Sequence, residues 1–176
     1  SKAAALLAMP ATWRRTTTAG RDWVLVSSHL FAHHVGGRVG PEGPPKFVYV
    51  HTPARYLWSP EEDPRGNHPI ARALAPSLRR LDKRRALEGA RFAANSRFIQ
   101  DRIARTWGAD SIVINPPVRV ELLQSTPRWA EKLEGEDAAA VAALPSEFVL
   151  GASRFVDYKR LDIAVRTGEA LGLPVV

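Results

Sequence analysis

RFAANSRFIQDRIARTWGADSIVINPP, residues 91–117, passes from strand to helix and back to strand within one short segment. Arg91–Ser96 reads as a short strand, and Asn95 and Ser96 suit its end and the cap of a following helix better than they suit catalysis. That helix is expected to run to about Trp107 and to stop at Gly108, because glycine adopts the left-handed conformation that closes a helix. Ser111–Pro117 then reads as another short strand. A helix between two apolar strands implies that the strands are parallel, since a parallel pair needs a crossover connection.

The same alternation extends upstream. Trp23–Ser28 is an apolar run read as a buried strand, and Lys46–Pro53 is a second strand ended by proline. Between them lies a loop rich in glycine and proline that contains Glu42. Lys2–Ala8 has the pattern of a short helix. From about His68 to Glu88 the pattern is helical, with Pro76 expected to divide it. At about 100° per residue Leu74, Leu78 and Leu81 share one side, while Arg72, Arg79, Arg80, Lys83 and Arg84 take the opposite one. The product is an amphipathic basic helix, suited either to a solvated face or to anionic lipid headgroups.

Downstream, residues 128–144 are polar, alanine-rich and partly helical in pattern, and read as a connection between domains. A new β-α-β unit is expected after it, with Glu147–Ser153 as strand and a helix from about Tyr158 to Leu171. Leu161, Ala164, Val165 and Gly168 form the expected buried stripe of that helix, and Leu173–Val176 returns as apolar strand. The fold class is therefore α/β, a Rossmann-like parallel sheet followed by the first β-α-β unit of another domain. The expected division is 1–117, a connection over 118–145, and 146–176.

With 176 residues, 45% of them hydrophobic and 24% charged, the chain has the composition of an ordinary globular protein. It has no cysteine, which excludes disulfides, thiolate metal sites and cysteine nucleophiles and points to a cytoplasmic setting. No run approaches the roughly 20 apolar residues that span a bilayer. A formal charge of +7 favours anionic partners. The lack of an initiator Met and the apolar last residues read as marks of a fragment.

Three places can carry chemistry. Gly151–Val165 takes an apolar strand through a loop with Arg154 into a helix opened by Lys159 and Arg160. Cations beyond the carboxyl end of a strand, beside a helix N-terminus, point to a diphosphate, against the competing reading of surface charge beside a packed strand. His51 stands at the end of a strand, where ligand-facing residues are expected. His29, His33 and His34 raise a metal site, since His29 and His33 stand four apart. No acid or cysteine lies near enough in sequence to complete it, so no metal is expected, and the three are read as surface or cleft-edge histidines.

These segments, GASRFVDYKRLDIAV at 151–165, VHTPARYLW at 50–58, AANSRFIQDRI at 93–103 and VINPPV at 113–118, together resemble glycosyltransferase family 4 in order and approximate spacing. WVLVSSHLFAH at 23–33 is similar to the family segment that precedes the HTP strand. The resemblance spans nearly the whole chain. It implies a GT-B architecture of two facing Rossmann-like domains, here the end of the acceptor domain and the start of the donor domain. It implies a hexosyltransferase that transfers a sugar with retention of configuration, without a cofactor or bound metal, in cell-envelope polysaccharide synthesis.

By the same resemblance Arg154 and Lys159 hold the donor diphosphate, and His51 reaches the transferred sugar as the catalytic-side contact. Arg55, Tyr56 and Trp58 are expected to shape the acceptor side. GDP-mannose is the donor suggested by the HTP-x-RY-x-W segment, and the acceptor is a glycan or a lipid-linked glycan. The implied location is cytoplasmic, peripheral on the inner face of a membrane. The family's glycine-rich loop after the first strand and its later pair of glutamates have no match here. Glu42 follows the wrong strand, so the chain alone is expected to turn over little. The alternatives are a basic nucleic-acid-binding module, for which +7 and five tryptophans supply phosphate contacts and stacking surfaces, or an inactive truncated product.

Overall fold

The computed structural model describes residues 2–37 and 43–176, so the loop position of Glu42 lies outside the described residues. The chain divides into two compact units, Ser1–Pro117 and Val118–Val176. The first is an α/β unit built on helix α1 (Lys2–Arg15), strand β1 (Val24–Ser28), β2 (Lys46–Val50), the short α2 (Arg55–Trp58), α3 (Pro69–Ala86), β3 (Arg91–Ala94), α4 (Arg97–Trp107) and β4 (Ser111–Val113). The four strands form one parallel sheet in the order β1-β2-β3-β4.

That order has a geometric consequence. Parallel strands added one after another in the same direction, with right-handed crossovers, bring every connection over the same face of the sheet. On that face Val26, Val48, Val50, Phe92 and Ala94 pack with Ala86 of α3 and with Ile99, Ile103 and Trp107 of α4, and Trp13 of α1 closes over them. The opposite face carries Leu25, Phe47, Tyr49 and Ile112 and stays open, forming an apolar hollow of about 780 Å³. Leu25 is 64% exposed and Ile112 63%. The apolar run at 23–28 is thus buried on one face only, not on both. Its pattern alternates as a half-covered strand does, and Trp23 stands outside the core at 60% exposure.

Local sequence explains α4 well. Ser96 Oγ accepts from the Ile99 N–H at 3.3 Å, Gly108 ends the helix at φ 66°, and Ile99, Ile103 and Trp107 repeat every fourth residue toward the sheet. Helix α3 departs from expectation, because it runs unbroken through Pro76. Pro76 lies on the solvent side, where the Arg72 carbonyl it leaves unbonded can be hydrated, while Ala75, Leu78, Asp82 and Ala86 pin both halves of the helix inward. The helix expected at Lys2–Ala8 extends to Arg15 and includes Pro10.

The second unit holds α5 (Val120–Gln124), α6 (Gly135–Ala142) and α7 (Asp162–Leu171). Residues 118–145, read from sequence as a connection, cluster with this unit. The expected strand pair at 147–153 and 173–176 is reduced to one parallel bridge, Val149 with Val175, backed by the Gly151 N–H to Val176 O hydrogen bond at 2.8 Å. Helix α7 starts at Asp162 rather than at Tyr158, because Arg160 takes a left-handed conformation (φ 48°) that interrupts the turn. Gly168 is the buried member of the α7 stripe, and a Cβ there would overlap Val175 Cγ2. Val165, expected in the stripe, is 48% exposed.

Candidate functional site

The carboxyl ends of the four strands align a row of polar side chains. His51 leaves β2 with its N–H donated to Ser28 O at 2.7 Å, and its Nε2 lies 2.8 Å from Ser27 Oγ of β1. Its ring meets Tyr49 edge-on at 5.3 Å, and Tyr49 donates its hydroxyl to Ile114 O at 3.0 Å. Asn95, at the exit of β3, donates Nδ2 to His51 O at 3.3 Å. Asn115, beyond β4, donates in the same way to Asn95 O at 3.2 Å. Each side chain therefore holds the exit of the neighbouring strand, and the row fixes His51 at both backbone and ring.

The turn after His51 is fixed as well. Thr52 accepts from Arg102 Nη1 at 3.3 Å and donates to Pro53 O at 3.0 Å. Arg102 itself is buried, paired with Glu62 and stacked 4.7 Å from the Phe98 ring. His51 is exposed, and its second ring nitrogen makes no hydrogen bond among the described residues. A ring held by one nitrogen with the other open to solvent can offer a polar contact to a bound hydroxyl without moving.

Two of the residues expected on the acceptor side turn away from solvent. Tyr56 is 4% exposed, and burial pushes its hydroxyl pKa far above the ordinary value. Trp58 points inward and donates its indole N–H to Asp82 Oδ2 at 2.7 Å. The physical reason is that α2 packs against α3, so the faces of this short helix that carry Tyr56 and Leu57 join a core cluster with Phe31 and Ala54. Arg55 remains half-buried at the start of α2.

Asp82 is the centre of a second arrangement. It is fully buried and accepts from Trp58 and from Trp107 Nε1 (2.8 Å) on Oδ2, while His34 Nε2 at 2.8 Å and His33 Nε2 at 3.2 Å approach Oδ1. Burial alone drives the carboxyl pKa up, but the hydrogen bonds and charge of His33 and His34 outweigh it and hold Asp82 well below the usual carboxylate range. Burial also lowers the pKa of His34, against the opposing effect of its hydrogen bond to Asp82, and so favours the neutral imidazole. From sequence these histidines are expected at the surface or a cleft edge, with no acid near enough in sequence to join them. The acid is 48 residues from His34 in sequence, and His29 stays exposed outside the group.

His33, His34 and Asp82 are the group among the described residues with donor atoms close enough to hold a metal. Their separations are those of hydrogen bonds, and both Asp82 oxygens are already occupied by N–H donors. The cluster is a buried carboxylate held by three N–H donors, from Trp58, Trp107 and His34, with His33 Nε2 packed beside it, and it joins the turn at Ala32–His34 to α2, α3 and α4. Nearby Lys46 is also buried and donates to the His33 and Val35 carbonyls.

In the second unit Arg154 Nη2 donates to Tyr158 Oη at 3.2 Å, and Lys159 Nζ stands 5.6 Å from the centre of the Tyr158 ring. The two expected diphosphate cations therefore gather on one tyrosine, and neither has a carboxylate partner among the described residues. Arg160 is committed to Asp162 by paired contacts of 2.8 Å. Lys159 lies in a 3-10 turn before α7, so it does not open that helix as expected, and Asp162 supplies the negative charge at the helix start. Phe155, between the cations, is 96% exposed.

Sequence reasoning missed Ser27, Arg102 and Asp82. Only Asp82 left a signal, as a lone acid on the inward side of an otherwise basic helix, four residues from both Leu78 and Ala86. Of the five tryptophans, Trp107 is buried and Trp13 and Trp58 are partly buried against the core, which leaves Trp23 and Trp129 as exposed rings for stacking. In comparisons with known proteins no family model, no curated protein and no solved structure matches the chain.

Proposed function

We propose that the chain is part of a hexosyltransferase of GT-B architecture that moves a sugar, with mannose from GDP-mannose as the favoured donor, to a glycan or lipid-linked acceptor with retention of configuration. The observation that carries this reading is the gathering of Arg154 and Lys159 on Tyr158, with no carboxylate paired to either among the described residues. As the glycosidic C–O bond breaks, negative charge grows on the departing diphosphate, and fixed cations stabilise it. His51, exposed and fixed on Ser27 through one ring nitrogen, supplies a polar contact to the sugar. The work would take place on the cytoplasmic side, in cell-envelope polysaccharide synthesis.

Titration calorimetry of the chain with GDP-mannose tests the donor half. Weak binding by the native chain, reduced about tenfold or more in Arg154→Ala or Lys159→Ala, is expected from the loss of one charge-assisted contact. Binding of native strength in both variants would remove the assignment of these two residues.

A further inference from the structure

The basic character of α3 separates into two groups once partners are assigned. Arg79 is tied inward, donating Nε to Leu57 O at 2.7 Å with its guanidinium 5.7 Å from the Trp58 ring centre. Arg85 is paired with Glu88, which also holds Arg14. Arg72, Arg80, Lys83 and Arg84 are exposed and have no carboxylate or carbonyl partner among the described residues. Arg14, Arg65, Arg102, Arg128 and Arg160, by contrast, each meet a carboxylate.

Apolar side chains stand beside these free cations. Ile70 is 56% exposed, Leu74 41% and Leu87 53%. At about 100° per residue, Leu87, Arg80, Arg84, Ile70 and Leu74 fall within about 140° of the helix circumference, on the side away from buried Asp82 and Ala86. Leucine and isoleucine thus flank the unpartnered arginines on both sides, with Arg72 and Lys83 at one margin. From these positions we infer that the outer face of α3 docks on an anionic lipid surface: the arginines meet headgroup phosphates while Ile70, Leu74 and Leu87 enter the acyl boundary. Among the described residues no helix is long and apolar enough to cross a membrane, so the contact is peripheral. Nucleic acid fits less well, because it would gain from aromatic rings between the cations, and this face offers aliphatic ones. The inference is independent of the chemistry proposed for His51, Arg154 and Lys159.

Vesicle co-sedimentation of the whole chain tests it, with phosphatidylcholine vesicles containing roughly 30% phosphatidylglycerol, pure phosphatidylcholine vesicles, and a DNA duplex as a separate ligand. The native chain is expected to bind only the anionic vesicles. Arg80→Gln with Arg84→Gln should lower partitioning about 30-fold, and Ile70→Ser with Leu74→Ser about tenfold or more. All four side chains are exposed, so circular dichroism and melting should match the native chain. Failure of the native chain to bind anionic vesicles, or undiminished binding by the arginine variant, would overturn the proposal. So would duplex binding that is lost in the arginine variant while serine substitution changes nothing.

Discussion

The two faces of one parallel sheet use histidine in opposite ways. On the helix-covered face His33 and His34 are each 1% exposed and are turned onto a buried carboxylate that also receives two indole N–H groups. On the open face His51 is exposed, held by Ser27 through one nitrogen, with no hydrogen bond at the other among the described residues. The residue type is the same, and the surroundings decide its use. Where low dielectric and many donors surround a carboxylate, its neighbours are committed to holding loops together. At a strand end with the sheet face uncovered, a ring fixed by its neighbours remains available to a ligand.

The sharpest way to break the contrast is Asp82→Ala. It leaves three buried N–H groups without their acceptor, so a loss of about 3–5 kcal/mol is expected in denaturant unfolding, enough to unfold much of a marginal domain. A loss below about 1 kcal/mol would show that the cluster does not hold the fold. Acidification gives a smaller effect. Because the folded pKa of His34 is depressed, the stability from its neutral form is complete above the ordinary histidine value of about 6.5 and is lost as the pH falls below it. Melting temperature should therefore decline from pH 7 to pH 5, and less steeply in His34→Gln, whose amide is not protonated; equal slopes would contradict the assignment. The smallest change belongs to His51→Ala, expected to shift stability by less than about 1 kcal/mol because the ring is solvated. A large loss there would make His51 structural too.

Much of the fold was legible because its signals are local. The Ser96 cap, the Gly108 stop and the four-residue repeat of Ile99, Ile103 and Trp107 place α4 without any tertiary information. His51 was legible as a strand-end residue for the same reason. What escaped depends on distant contacts. Asp82 meets His34 across 48 residues, and nothing in the local pattern of either residue announces the other. Trp58 and Tyr56 look like a surface for sugars when read in sequence, but packing of α2 on α3 decides which way they face. Burial of the run at 23–28 was overestimated because an apolar strand reads alike whether one face or both are covered, and only the strand order settles which.

Imidazole ¹H–¹⁵N spectra of the five histidines, recorded while GDP-mannose is titrated into the whole chain, test the central claim most directly. The ring signals of His51 are expected to move with donor concentration, while those of His33 and His34 stay fixed with slowly exchanging ring protons. Movement of the buried pair, or a His51 signal that ignores the nucleotide sugar at saturating concentration, would contradict that claim.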